Sequence, residues 1–107
     1  MFAEALAQDQ NYDIKAVLVT HNETATGAAS DVAGIRKVID AVGHPALLFV
    51  DTVSSLGAME YKHDEWGVDV TISGSQKGLM MPPGMSFNAI SEKALAAHKN
   101  STLPKAY

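Results

Sequence analysis

The chain has no cysteine among its 107 residues, which excludes disulfides, thiolate nucleophiles and cysteine-held metals from its own repertoire. It also lacks any basic cluster. Eight lysines and arginines are set against twelve acids, a formal net charge of −4, and phosphate-backbone binding needs grouped cations, so nucleic acid is not an expected partner. No apolar run approaches the roughly 18–20 residues that span a bilayer. The opening MFAEALAQDQ has neither the basic start nor the long apolar stretch of a secretory leader. What remains, 47% hydrophobic and 19% charged, is the composition of one ordinary globular domain. The cytoplasm is its default compartment, and an organelle of a eukaryotic cell is the alternative.

The pattern along the chain predicts an α/β fold. Met1 to Gln8 reads as the end of a helix, with Phe2 and Leu6 on one face. Ala16 to Thr20 (AVLVT) is a buried strand, and HNETATGAA after it is a polar loop. Ser30 is the expected N-cap of a helix whose Val32, Ile35, Ile39 and Val42 recur at helical spacing. Gly43 and Pro45 end it. A second strand, Ala46 to Val50, closes on Asp51, giving a βαβ unit with a right-handed crossover. Thr52 to Gly67 reads as an irregular connection containing at most one helical turn. Val68 to Ser73 is the third strand, Met85 to Ile90 the fourth, and Ser91 caps a final helix. The stretch between the last two strands is short and carries Pro82-Pro83-Gly84. A helical crossover does not fit there, so the fourth strand is expected to run antiparallel.

In open α/β sheets, ligands collect beyond the carboxyl ends of the parallel strands. Three polar features fall there: His21 to Gly27, Asp51 with Thr52, and Ser73 to Lys77. Asp51 follows five apolar residues and reads either as a carboxylate satisfied by loop amides or as the partner of a bound cation. Lys77 reads either as a snorkelling surface lysine or as an amine with a chemical task. Gly74 and Ser75 let a ligand approach the backbone, and Leu79 to Pro83 offer dry walls. SGSQKG is not a phosphate-binding P-loop, because the first glycine and its four-residue spacer are missing. Asp69 reads as a structural hydrogen-bonder and His21 as a loop histidine, with ring contact to a ligand as the alternative for the latter. His44, His63 and His98 show no ligand spacing, and Met80-Met81 reads as packing.

THNETATG, VDTVSSLG and SGSQKGLMMPPG, in that order, resemble the class V, fold-type I pyridoxal-phosphate aminotransferases. Within them the chain is most similar to the serine–glyoxylate and alanine–glyoxylate group. The resemblance implies pyridoxal 5′-phosphate as cofactor and a mostly parallel sheet with one antiparallel strand, from the large domain of that fold. It implies that Lys77 forms the Schiff base with the cofactor and that Asp51 holds the pyridine nitrogen protonated. It further implies that Gln76 donates to the phosphate, that Thr24 lies at the cofactor's polar edge and that Val53 packs on a ring face. The expected activity is transamination from serine or alanine to glyoxylate in two half-reactions, by a cytoplasmic homodimer, with no metal.

Members of that group are several times longer than this chain. Their glycine-rich phosphate loop, ring-stacking aromatic residue, partner-subunit residues and substrate-binding arginine have no counterpart in it. The chain is therefore expected to be an internal fragment, residues 1–107 forming part of the large domain, with the N-terminal part and the small C-terminal domain outside it. One alternative is a catalytically inactive fragment or packing remnant. Another is a parent resembling the cysteine desulfurases, which share the cofactor geometry but need a mobile cysteine.

Overall fold

The structure, a computed structural model, describes residues 2–104. Met1, which the expected first helix included, lies outside them. Four strands make one sheet in the order β1-β4-β5-β6: β1 (Ala16–Thr20), β4 (Leu47–Asp51), β5 (Val70–Gly74) and β6 (Ser86–Ile90). The pairs β1–β4 and β4–β5 are parallel, and β5–β6 is antiparallel. This is the expected mostly parallel α/β sheet with one reversed strand.

Three helices accompany it: α1 (Phe2–Gln8), α2 (Val32–Ala41) and α3 (Glu92–Asn100). Val32 and Ile39 of α2 are buried with Leu6 of α1, Leu48 and Val50 of β4, and Val68. Each such side chain contributes roughly 1.5–3 kcal/mol relative to exposure. Ile35 and Val42 pack on the edge of this cluster. Gly43, at φ +64°, supplies the left-handed residue that ends α2.

The sheet is unevenly covered. Leu48 and Val50 point to the buried layer, so by strand alternation Leu47, Phe49 and Asp51 share the other face. On that face Leu18 is 77% exposed and Ile72 40%. Lower down, Leu47, Phe49, Val70 and Ile90 line an apolar groove of about 910 Å³ with residues of α3. One-sided layering also accounts for a radius of gyration of 14.7 Å, larger than the ~13 Å of a compact chain this long.

Several boundaries differ from the sequence reading. The N-cap of α2 is Asp31, whose carboxylate accepts from Gly34 N at 2.8 Å. Ser30 Oγ instead donates to Thr20 O at 2.8 Å. The loop after β1 contains a two-stranded hairpin, β2 (Asn22–Glu23) with β3 (Ala28–Ala29), too short to leave a periodic signature. Residues 52–67 hold turns and an isolated Leu56–Met59 bridge, without a helix. Ser91 caps α3 as expected, its hydroxyl accepting from Ala94 N.

Candidate active site

Three parallel strands end in one row. Thr20 pairs with Asp51, and Asp51 with Ile72. The ladder then continues one step into the loops: His21 N donates to Asp51 O at 2.9 Å, and Thr52 N to Ile72 O at 2.8 Å. The three polar features read from the sequence therefore emerge side by side at the carboxyl end of the sheet.

Asp51 stands on the open face and is exposed. Its Oδ1 accepts from Val53 N at 2.8 Å, and Oδ2 has no hydrogen-bond donor among the described residues. Val53 is half-buried and Thr24 exposed in the turn between β2 and β3. Thr52 is fully buried, its hydroxyl donating to Ile72 O, so Asp51 is the residue of this pair that faces outward.

Lys77 lies in the loop between β5 and β6. It is exposed, and its Nζ has no partner among the described residues. Gln76 is also exposed, and its amide lies over Gly74, where a Cβ would meet Oε1 at 2.8 Å. The expected dry walls do not enclose the lysine. Met80, at φ +53°, turns outward and is 91% exposed, so its reading as a packing residue fails. Pro82 and Pro83 are exposed too. Asp51, although it follows five apolar residues, is likewise exposed. The reason is common to both: among the described residues, no layer covers the carboxyl end of the open face.

His21 belongs to the opposite, covered layer. It is 4% exposed, its Nδ1 is 2.9 Å from Ser55 Oγ, and its ring contacts Tyr61 and Trp66. Burial pushes its pKa below the ordinary histidine value. This is the structural histidine of the sequence reading. Asp69 is structural as well. Its Oδ2 accepts from Leu48 N, its Oδ1 from Ser91 Oγ, and Arg36 and Lys93 lie within 4 Å. His44 accepts from Ala46 N through Nδ1, leaving Nε2–H to face Asp9 at 3.2 Å.

Gly57 escaped the sequence reading, and Ser75, expected to leave the backbone open to a ligand, is instead buried and bonded within its own loop. Ser75 closes the loop that bears Lys77, while Gly57 abuts Gly78, the residue after that lysine. The only sequence signal for the burial of Ser75 was the continuation of the alternation Thr71, Ser73, Ser75 past the end of the strand.

Comparison with known proteins gives the family. Residues 3–103 match the family described as aminotransferase class-V. The chain is 52% identical over 106 residues, 99% of its length, to an L-aspartate–glyoxylate aminotransferase of Paracoccus denitrificans, covering 27% of that protein. It is 59% identical over 99 residues, 92% of its length, to a serine–glyoxylate aminotransferase of Hyphomicrobium methylovorum, covering 24% of it. Among solved structures, an alanine–glyoxylate aminotransferase from Nostoc superposes with a TM-score of 0.80 at 35% identity. That match covers 96% of this chain and 27% of the other. The chain thus spans about a quarter of the length of the curated relatives it matches. Its fold is that of the fold-type I pyridoxal-phosphate aminotransferases, and the chain belongs to the class V aminotransferase family.

Proposed function

We propose that the chain carries the cofactor lysine and the ring-nitrogen acid of a pyridoxal-phosphate-dependent aminotransferase. In this reading the full polypeptide moves an amino group from serine or alanine to glyoxylate, as a cytoplasmic homodimer. Residues 1–107 are then part of its large domain, with N-terminal and C-terminal portions contributed by chain beyond them. The observation that carries the reading is the pairing of two groups at one end of the sheet. They are an amine on the loop after β5 and a carboxylate oxygen at the end of the adjacent β4, both without a partner among the described residues. The names of the relatives support glyoxylate as the acceptor and a small amino acid as the donor.

The residues present fit the cofactor chemically. When bound, it supplies an electron sink for the electrons released at the substrate Cα. Asp51 holds the proton on the ring nitrogen, because a carboxylate beside that nitrogen favours its charged form. Lys77 would anchor the cofactor through its amine, and that amine, when free, would be the group that moves the proton from the substrate Cα. Gln76 donates its amide to the phosphate, Thr24 offers a hydroxyl at the polar edge, and Val53 gives an apolar contact to the ring. Small pockets discriminate weakly between amino acids differing by one hydroxyl, so the donor is decided by groups beyond these five.

A specific observation also bears on the isolated chain. Its open face and exposed Leu18 leave the site without a wall, so the 107-residue chain is expected to bind the cofactor weakly and to transaminate negligibly. Borohydride reduction after incubation with pyridoxal phosphate, followed by peptide mass mapping, tests the assignment. Label concentrated on Lys77 supports it; label spread over all lysines argues for an inert remnant. In the full-length polypeptide, Lys77→Arg is expected to abolish transfer to glyoxylate.

A further inference from the structure

We infer that Ser75 and Gly57 are positioning residues for Lys77, setting its backbone against the Asp51 loop. The inference rests on the functional reading above and deepens it. The lysine amine has no hydrogen-bond or ion-pair partner among the described residues that could orient it, so its reach is governed by where its Cα is held. Four flexible carbons follow that Cα, and a displacement of the backbone passes directly to the amine.

Ser75 holds one side of the loop with every polar atom it has. Its Oγ donates to Pro82 O at 2.6 Å and accepts from Met85 N at 3.4 Å. Its N donates to Met85 O at 3.2 Å, and its O accepts from Met81 N at 3.0 Å. The residue is 0% exposed. A single buried serine therefore joins the outgoing strand to three residues of the returning chain. Within the loop, Lys77 itself contributes only a carbonyl, which accepts from Met80 N at 2.9 Å.

Gly57 fixes the loop laterally. A Cβ there would meet Gly78 O at 2.8 Å and Gly78 C at 3.0 Å, and its φ is +85°. The backbone just after Lys77 thus lies in direct contact with the turn after Asp51. That turn is itself tied back to the strand end, since Ser55 N and Leu56 N both donate to Thr52 O. From Asp51 to Lys77 the path runs through backbone packed on backbone, a stiffer spacer than any side-chain contact. A side chain at position 57 would press first on main chain, the Gly78 carbonyl, and then on Leu79 Cδ2 at 3.3 Å, so only the outer of these neighbours can turn aside.

The test uses the full-length polypeptide, pyridoxal phosphate and borohydride, with label at Lys77 measured relative to the label at Lys15 and Lys62. Wild type is expected to favour Lys77. Ser75→Ala and Gly57→Ala are each expected to lower that ratio by about tenfold or more, since small misplacements of a reacting group are costly. Trp66 emission and cooperative unfolding should persist, and Ser75→Cys, with a similar size and a weak donor, should recover part of the ratio. If either alanine variant does not fold, Ser75→Cys decides, its ratio expected to lie below that of wild type. Selective labelling that survives in the folded variants overturns the positioning role while leaving the functional reading intact. Indiscriminate labelling of wild type overturns both.

Discussion

Ser91 meets Asp69 twice. Its hydroxyl donates to the carboxylate Oδ1 at 2.8 Å and its backbone N–H to the Asp69 carbonyl at 2.8 Å. The residue that caps α3 is thereby bound to the residue that leads into β5, and the same carboxylate's Oδ2 takes the Leu48 N–H of β4. One buried acid registers two strands and a helix. Asp69→Ala is expected to cost about 3–5 kcal/mol, because the Leu48 N–H and the Ser91 hydroxyl lose their buried acceptor and the Arg36 guanidinium keeps only the exposed Asp40 as counter-charge. Asp69→Asn keeps one acceptor and should cost about 1–3 kcal/mol. Urea unfolding followed at Trp66 measures both, and equal losses would mean that hydrogen bonding to the retained oxygen contributes nothing.

Acid sensitivity should come partly from His21. Burial holds its folded pKa below the ordinary value, so the unfolded chain takes up the proton first. Stability is then complete above the ordinary histidine pKa of about 6.5 and falls as pH drops through it toward the lowered folded value. The melting temperature of wild type should decline from pH 7.5 to pH 5, a window set by about 6.5 as the unfolded pKa. His21→Asn, which can keep a hydrogen bond to Ser55, should flatten that decline. An unchanged slope in the variant would assign the acid sensitivity to other groups.

Legibility in the sequence followed how local each cause was. The bounds of β1 were readable because five consecutive residues of AVLVT suit a strand, and β6 was correctly reversed because the proline-rich stretch before it cannot cross over. The cap at Ser91 was readable, whereas the cap of α2 was not. Ser30 and Asp31 are both good caps, and the choice falls to Asp31 because the Ser30 hydroxyl is already bound to Thr20 O. That competition is tertiary and leaves no local trace. The same holds for Ser75, whose partners lie up to ten residues away. The apolar flanks of Lys77 suggested an enclosed amine, but enclosure needs a second layer, and flanking composition does not reveal whether one exists.

The hydroxyl of Thr71 is a second buried junction, 2.6 Å from Tyr61 Oη and 2.7 Å from His63 Nδ1. It joins the irregular segment before β5 to the strand. Burial raises the Tyr61 pKa, an effect that the Thr71 hydrogen bond partly offsets. Thr71→Val removes the shared partner while keeping the side-chain shape. It is expected to destabilise by about 1–3 kcal/mol, because two half-buried polar groups lose their hydrogen bond. A double-mutant cycle with Tyr61→Phe should show coupling of about 0.5 kcal/mol or more. Additive losses would show that the two residues act separately.

Gly74→Ala separates the fold from the proposed phosphate contact. A Cβ at position 74 would stand 2.8 Å from Gln76 Oε1 and 3.6 Å from its Cδ. The group that must move is the end of a flexible side chain, and Gly74 is not among the glycines with positive φ. Unfolding free energy should therefore change by no more than about 0.5 kcal/mol. If the Gln76 amide binds the cofactor phosphate, displacing it should raise the pyridoxal phosphate concentration needed for half-maximal labelling of Lys77 by about tenfold, the loss of one charge-assisted bond. Labelling by unphosphorylated pyridoxal should not change. Gln76→Ala should show the same shift, and the double variant should be no worse than either single one. A further loss in the double variant would mean that Gly74 acts on the cofactor by a route that does not pass through Gln76.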